Sequence, residues 1–137
     1  MVPYYVKYFI TVEINSTFYR PPGEFQVNSW LKKAPKRFEY SVKMPQLVTH
    51  KALIDGNLEN VIYGRLLLRK PVLSRWHANL LECALLQLSP YFKKSNKELS
   101  NLKNLLDALP TREHDYPVEF RHSSWLNESK NELDPET

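Results

Sequence analysis

Apolar and polar positions alternate along four short segments of the chain, which is the pattern of β-strands with one buried face. The segments cover residues 11–16, 38–44, 84–89 and 117–121. In the second segment, for example, Tyr40 and Val42 alternate with Ser41 and Lys43. Side chains two residues apart on a strand point to the same face. The pattern therefore predicts a sheet with one apolar face that packs against helices.

Helical patterns separate these strands. Residues 25–34 have apolar positions at helical spacing up to Pro35, which ends a helix. Residues 99–109 have a leucine stripe, and a capping box formed by Ser95 and Glu98 precedes it. The order of strands and helices predicts an α/β fold in which parallel strands are joined by crossovers.

Three further segments are predicted from local pattern. Residues 4–9 have the aromatic spacing of a helix end, and residues 58–81 are predicted to be mostly helical with a break at Pro71. Near the end of the chain, Ser123 or Ser124 is predicted to cap a short helix.

Polar side chains occur in pairs, two residues apart, at the end of each predicted strand. The pairs are Glu13/Asn15, Ser41/Lys43, Gln87/Ser89 and Glu119/Arg121. Burying such groups without partners is costly. Ligands bind at the carboxyl ends of strands in parallel sheets and barrels. The pattern therefore predicts that the polar pairs converge on one site.

The residue types suggest roles within this site. Glu13 or Glu119 is a candidate general acid or base whose pKa would depend on burial and on a nearby cation. Lys43 and Arg121 are candidates to hold a phosphate or carboxylate, or to stabilise developing negative charge. These four are the candidate catalytic residues. The candidate ligand-binding residues are Asn15, Tyr19, His50, Gln87, His122 and Trp125.

Two other interpretations of the same residues stay open. Two carboxylates and two cations balance in charge, so they could form an ion-paired plug inside a filled barrel. Aromatic residues also lie beside basic ones after the strands, in residues 18–20, 91–94 and 121–125. Such a mixture is typical of surfaces that stack on sugar rings or unpaired bases, although loop aromatics also pack over a barrel rim.

Composition limits the class of protein. The chain has 137 residues, which corresponds to one domain, and its hydrophobic (42%) and charged (25%) fractions are ordinary for a globular protein. The net charge of +4 is spread along the chain. No apolar run approaches the roughly twenty residues of a membrane helix. No secretory signal pattern is recognisable, so we expect a cytoplasmic protein.

The sequence contains no recognisable motif for a metal or a nucleotide cofactor. The single cysteine, Cys83, excludes an intramolecular disulfide and a multi-thiolate metal site, and its apolar neighbours predict a buried thiol. Metal-binding spacings of histidine and carboxylate are absent, so no metal is predicted. The three glycines form no nucleotide-binding loop, and the cofactor stays unknown.

Four blocks of the sequence resemble the YecE-like family, also called domain of unknown function 72. They are residues 11–20, residues 38–43 with Pro45 and Thr49-His50, residues 86–90 with Phe92, and residues 118–122 with Trp125. The resemblance covers about residues 4 to 126. It implies a TIM-barrel-like fold and a cytoplasmic protein, but no established activity and no catalytic residues.

The chain also departs from this family. Members are longer, with a Gly-Thr-Ser-Gly-Trp-like first strand and further strands after the Glu-Phe-Arg-His block, and they have Leu-Pro-Pro where this chain has Leu-Ser-Pro. We therefore predict a partial TIM-barrel-like domain at residues 1–126, with about four parallel strands and alternating helices, and a polar tail at residues 127–137. A split or truncated gene is the expected origin.

These predictions lead to three functional hypotheses. The first is part of a barrel enzyme that acts on a small polar or anionic ligand such as a sugar or a phosphorylated metabolite. The second is nucleic-acid binding or processing, and the third is an inactive barrel fragment. Because four parallel strands leave two open edges, we expect a homo-oligomer or a completing polypeptide.

Overall fold

The computed structural model describes residues 2–20, 22–57, 59, 81–112, 114–129 and 131–135. Its four strands form one sheet in the order of the chain. The strands are β1 (Thr11–Ile14), β2 (Glu39–Lys43), β3 (Leu81–Gln87) and β4 (Val118–Glu119). Every pairing between neighbours is parallel, so the predicted α/β class is confirmed.

Helices connect the strands. They are α1 (Val2–Tyr5), α2 (Glu24–Lys33), a π-helical segment (Leu47–Ala52) that continues into α3 (Leu53–Asp55), and α4 (Asn96–Ala108). Two 3-10 turns, Ser16–Phe18 and Ser123–Trp125, follow β1 and β4. The helices predicted at residues 25–34 and 99–109 are confirmed. Within the described residues, no helix combines the length and apolarity that a membrane crossing requires.

The cap that Ser95 was predicted to provide at the start of α4 is confirmed. The Ser95 hydroxyl oxygen accepts a hydrogen bond from the backbone N–H of Glu98, and the Glu98 carboxylate contacts the Ser95 hydroxyl in return. The prediction for residues 58–81 lies almost entirely outside the described residues. It is wrong at Leu81, which begins β3 instead of ending a helix.

One face of the sheet is covered by helices and forms the core. We call it the covered face, and its buried residues include Ile14, Tyr40, Val42, Ala84 and Leu86. The Tyr40 hydroxyl donates to the Trp30 carbonyl of α2 at 3.3 Å, and burial raises the pKa of Tyr40 to about 12. Each large apolar side chain buried here stabilises the fold by about 1.5–3 kcal/mol. The predicted apolar face is therefore confirmed.

All four strands end earlier than predicted, and in three of them a residue of the polar pair lies beyond the end of the strand. Asn15 has a helical backbone at the start of the first 3-10 turn, and Ser89 and Arg121 follow β3 and β4. Only the pair Ser41/Lys43 lies wholly on a strand. The Thr17 hydroxyl explains the early end of β1, because it shares its proton between the Ile14 carbonyl at 2.9 Å and the Lys43 carbonyl at 2.8 Å.

A β-bulge lies near the start of β3. Tyr40 pairs with Leu81, but the next residue of β2, Ser41, pairs with Cys83, so Glu82 is an extra residue. Glu82 is exposed, whereas Leu81 is buried on the covered face. The bulge lets Leu81 and Cys83 point to opposite faces although they are two residues apart.

Residues after Leu126 return to the body of the domain. The backbone N–H of Asp134 donates to the Trp125 carbonyl at 2.9 Å, and the Asp134 carboxylate forms an ion pair with Lys94 at 3.1 Å. Leu126 and Leu133 form an antiparallel bridge. The predicted boundary between domain and tail stays a prediction, but these contacts attach the polar segment to the fold.

Candidate functional site

Five polar side chains from the ends of all four strands form one continuous line of contacts on the face opposite the helices. We call it the polar chain, and its members are Glu13, Lys43, Gln87, Glu119 and Arg121. Lys43 Nζ lies 3.6 Å from Glu13 Oε1 and donates to Gln87 Oε1 at 3.5 Å. Gln87 Nε2 donates to Glu119 Oε1 at 2.9 Å and to Oε2 at 2.8 Å. Arg121 Nε lies 3.9 Å from Glu119 Oε1.

The polar chain is most buried in its middle. The side chain of Lys43 is 18% exposed, whereas those of Glu13, Glu119 and Arg121 are 41%, 42% and 43% exposed. The carboxylates and the guanidinium therefore remain accessible to a solute, while the lysine is held between its partners. All five residues stand at the carboxyl ends of strands, where α/β proteins bind ligands.

We call the face that carries the polar chain the open face; Ser41 and Cys83 also lie on it. Cys83 is half-buried, and its Sγ lies 3.4 Å from Ser41 Oγ. The expected burial of this thiol in the core is therefore wrong. The reason is strand alternation, since Cys83 pairs with Ser41 and precedes the buried Ala84, which points to the covered face.

His50 lies in the π-helical segment that follows β2. Its Nδ1 is 3.0 Å from the hydroxyl of the buried Thr49, and its ring packs edge-to-face on Phe18 with centroids 5.2 Å apart. Burial, and then the positive charge of Arg121, lower the pKa of His50. His50 therefore lies within the electrostatic reach of the polar chain.

The π-helical segment was not predicted from the sequence. Such segments are rare and occur often at functional sites. Their wider turns give no apolar repeat at the spacing of an α-helix, so periodicity does not identify them. The available signal was the position of Thr49 and His50 a few residues beyond β2.

His122 acts as a cap and not as an established ligand contact. Its Nδ1 accepts a hydrogen bond from the backbone N–H of Ser124 at 3.1 Å and lies 2.9 Å from Ser124 Oγ. The Ser124 hydroxyl oxygen in turn accepts from the backbone N–H of Lys94 at 2.7 Å. The prediction that Ser123 or Ser124 caps this turn is wrong, because the His122 imidazole takes that position.

Trp125 lies beneath the site and is not accessible from it. Its indole is fully buried, donates from Nε1 to the Phe92 carbonyl at 2.7 Å, and stacks on the Phe92 ring. The prediction that Trp125 contacts a ligand is therefore corrected, since no ring face is open for stacking. Its role is to fix the loop after β4 on the loop after β3.

Asn15 and Tyr19 follow β1 and are exposed. Tyr19 is 76% exposed, and its ring contacts the edge of Phe18. Among the described residues, hydrogen bonds and ion pairs do not connect these two side chains to the polar chain. Their assignment to ligand binding stays a prediction.

Thr17 is a residue of the site that the sequence did not reveal. It is buried, and its hydroxyl ties the end of β1 to the end of β2. It thereby fixes the separation of Glu13 and Lys43. The available signal was a hydroxyl residue directly after a strand, where such side chains bind backbone groups.

The described residues give no indication of a metal centre. In this part of the chain, no three histidine, cysteine, aspartate or glutamate residues are grouped to hold a metal ion. The polar chain alternates between anionic and cationic groups, an arrangement that suits a ligand with several hydrogen-bonding groups.

Comparison with known proteins identifies the family. The family model described as "Protein of unknown function DUF72" matches residues 1–134. A crystal structure of a DUF72 family protein from Thermotoga maritima is 31% identical and has a TM-score of 0.68. The match covers 89% of this chain and 45% of that protein. No curated protein matches the chain.

Two crystal structures of a DUF72 family protein from Enterococcus faecalis V583 share the fold, with TM-scores of 0.75 and 0.74 at 17% identity. They are matched over 94% and 95% of this chain and 46% and 51% of their own length. The chain thus spans about half the length of these solved relatives, and the predicted partial barrel-like fold is confirmed. The chain belongs to the DUF72 family, whose function is not known, and the predicted YecE-like membership is confirmed because both names denote this family.

Proposed function

We propose that the polar chain forms part of a binding site for a small polar ligand, either a sugar or a phosphorylated metabolite. The observation that supports this is the continuous contact from Glu13 to Arg121 across four strand ends. Each strand contributes one member or more, and the line remains accessible at both ends.

The alternative of a structural plug is weaker. Exposed ion pairs contribute about 0–1 kcal/mol to stability. The carboxylates of Glu13 and Glu119 are both about two-fifths exposed, so their pairing adds little to the fold. A line of aligned polar groups that contributes little stability is better explained by ligand binding.

In the proposed site, Gln87 would orient the carboxylate of Glu119. Its amide nitrogen lies within hydrogen-bond distance of both oxygens of the Glu119 carboxylate, while its carbonyl oxygen accepts from Lys43. Glu119 is thereby held by its two oxygens and still has lone pairs free for hydroxyl groups. In the proposed site Glu119 and Glu13 accept from sugar hydroxyls or act as acid and base, and the two cations bind anionic groups.

Isothermal titration calorimetry tests this proposal with glucose, glucose 6-phosphate, ribose and ribose 5-phosphate. The variant Glu119→Gln removes one carboxylate charge from the polar chain, and Glu39→Gln is its control at the opposite end of the open face. We expect at least one of these compounds to bind, about tenfold more weakly to Glu119→Gln and unchanged to Glu39→Gln. Absence of binding to all four compounds, which the inactive-fragment hypothesis predicts, contradicts the proposal.

Nucleic-acid binding is the second candidate function, because Tyr19 and Tyr91 are 76% and 86% exposed and follow β1 and β3. Each stacked base would contribute about 1–3 kcal/mol. Titration with a single-stranded oligonucleotide at several salt concentrations tests it, since phosphate contacts give a steep salt dependence. Tyr91→Ala should weaken binding, whereas Tyr4→Ala, which removes an exposed tyrosine before β1, should not. Equal affinities would exclude a stacking role for Tyr91.

We also propose that the sheet is completed by a second copy of the chain or by another polypeptide. Among the described strands, β1 and β4 each have one neighbour. Light scattering coupled to size exclusion measures the mass directly. A monomer that unfolds cooperatively without a partner would contradict the proposal.

A further inference from the structure

Both outer strands of the sheet have an edge without a neighbour among the described strands, since β1 pairs with β2 and β4 pairs with β3. All four strands run in the same direction. The β4 edge of one copy can therefore pair with the β1 edge of a second copy and continue the parallel sheet in the same order. Two such contacts between two copies join eight strands, the number that closes a barrel with an interior that side chains fill.

The apolar core is incomplete at both edges of the sheet. On the central strands, the covered-face residues Tyr40 and Leu86 are completely buried. Val12 on β1 and Val118 on β4 pack against the same core but are only half-buried. Both edge strands therefore have apolar surface that a neighbouring strand and its helices would cover.

Exposed apolar residues also precede β1. Tyr8, Phe9 and Ile10 lead into that strand, and each is more than half exposed. The Ile10 carbonyl accepts a hydrogen bond from the backbone N–H of Glu39 at 2.9 Å, so this segment lies beside the start of β2. Three consecutive large apolar side chains in this position form an interaction surface that continues the β1 edge.

The polar chain ends with opposite charges at the two edges of the sheet. Glu13 begins it on β1 and Arg121 ends it after β4, and both side chains are about two-fifths exposed. Within the described residues, Arg121 contacts Glu119 through Nε at 3.9 Å, which leaves its two terminal nitrogens for a second carboxylate. A parallel contact between β4 and β1 therefore brings a guanidinium of one copy to a carboxylate of the other.

Other ways of joining two edges do not align the polar chains. Two β1 edges, or two β4 edges, form an antiparallel pair when the covered faces of both copies lie on the same side of the sheet. That pairing places the two polar chains at opposite ends of the sheet. The contact between β4 and β1 instead brings the carboxyl ends of all strands to one end, where the alternation of charge continues from one copy into the next.

We propose that two copies of the chain close an eight-stranded barrel in which Arg121 of each copy pairs with Glu13 of the other. The inference rests on the proposed function and specifies the partner that completes the same site. The open faces line the interior, the helices stay outside, and the two polar chains form one ring that both copies share. The relatives agree with this arrangement in length, because the chain spans 45% to 51% of the solved family members.

Charge reversal on the whole chain tests the contact, with the mass measured by sedimentation equilibrium over a range of concentrations. Glu13→Arg brings two guanidinium groups together at each contact, and Arg121→Glu brings two carboxylates together. We expect each variant alone to raise the dissociation constant of the dimer about tenfold or more, because like charges meet. An equal mixture of the two variants should recover most of the loss, since each contact then again pairs a guanidinium with a carboxylate.

Matched controls separate the contact from a general effect of charge. Asp107→Arg and Lys103→Glu make the same changes of charge at exposed positions of α4. They should leave the dissociation constant unchanged, alone and mixed. Circular dichroism of every variant shows that it is folded, and recovery in the mixture cannot come from unfolded chains.

Ligand linkage tests whether the site is shared. Sedimentation is repeated with glucose, glucose 6-phosphate, ribose and ribose 5-phosphate. A compound that binds the ring formed by both copies should lower the dissociation constant of the dimer, because it binds the dimer more tightly than the single chain. A compound that binds one polar chain by itself leaves the dissociation constant unchanged, which would contradict the shared site.

The outcomes separate this inference from the proposed function. A chain that stays monomeric at every concentration overturns the inference, and binding of any of the four compounds to that monomer leaves the proposed function standing. A dimer that Glu13→Arg weakens and Arg121→Glu does not is joined through two β1 edges, which also overturns the inference. Two weakened variants whose mixture does not recover contradict the pairing of Arg121 with Glu13. A dimer with the expected charge pattern that binds none of the compounds supports the barrel and contradicts the proposed function.

Discussion

On the covered face of the sheet, Tyr40 and Leu86 are completely buried, whereas on the open face Lys43 and Gln87 meet other polar side chains and stay half-buried. The same strands therefore carry two kinds of residue. Those on the covered face stabilise the fold, and those on the open face are available for ligand binding. The direction in which a strand residue points therefore separates the side chains that form the core from those that form the proposed binding site. Each prediction below tests that separation.

The largest expected difference is between two neighbours on β3. Leu86 is fully buried on the covered face, and Leu85 is half-buried on the open face. Leu86→Ala should lower the free energy of unfolding by about 2–5 kcal/mol, because it leaves a cavity in the core. Leu85→Ala should cost at most about 1.5 kcal/mol. Urea denaturation measures both, and equal losses would show that the open face is also part of the core.

The second prediction concerns Thr17, which connects the strands beneath the open face. Thr17→Val keeps the shape of the side chain and removes the hydroxyl that serves the Ile14 and Lys43 carbonyls. We expect a loss of about 1–3 kcal/mol, because buried carbonyls lose a partner. Thr11→Val, at an exposed position of β1, is the control and should change stability little. An unchanged midpoint for Thr17→Val in chemical denaturation would show that the hydroxyl is dispensable.

The third prediction tests the helical layer. Ser95→Ala removes the cap of α4, whose buried Leu102 and Leu105 belong to the core. The expected loss is about 1 kcal/mol. Ser100→Ala, at an exposed position inside the same helix, should be neutral or slightly stabilising because alanine favours helices. Thermal unfolding followed by circular dichroism compares the two variants. Equal melting temperatures would show that the Ser95 cap does not stabilise α4.

The smallest expected effect is a dependence on pH that originates at His50, in the π-helical segment after β2. Burial and Arg121 lower the pKa of His50 from 6.5, so the unfolded chain binds a proton more readily than the folded one. Stability should therefore fall as the pH drops through about 6.5, and His50→Gln should reduce that fall. The Ser95 hydrogen bond lowers the pKa of Glu98, whose contribution is lost only at more acidic pH, below about 4.5. Denaturation midpoints of the unmodified chain and of His50→Gln, measured across this pH range, test the prediction. The same pH dependence in both proteins would contradict it.

The sequence predicted the covered face well because burial on one side of a strand requires alternation. Tyr40 and Val42 are a clear case, and both are buried. The convergence of Lys43, Gln87 and Glu119 followed from the same alternation, since parallel strands bring their carboxyl ends to one edge. The local sequence pattern was sufficient to predict the face of the sheet on which a residue lies wherever that face depended only on the residue's own strand.

Local pattern was insufficient wherever distant contacts decided the outcome. β1 ends at Ile14 because Thr17 binds the Lys43 carbonyl, 26 residues away along the chain. Trp125 is buried and binds the Phe92 carbonyl across two loops, and the Ser124 hydroxyl accepts from the backbone N–H of Lys94, 30 residues away along the chain. None of these pairings leaves a periodic signal. The identity of the ligand is also beyond the sequence, because the same polar groups suit more than one solute.

The bulge at Glu82 has a consequence for how this strand is compared with those of relatives. Counting back by twos from Leu86 through Ala84 assigns Glu82 to the buried set, which would place a carboxylate in the core. The chain avoids this with one additional residue, and the parity of inward and outward positions changes there. A relative that lacks the bulge must therefore be aligned with a one-residue gap at Glu82. Without that gap, Leu81 would be compared with a residue that points the opposite way.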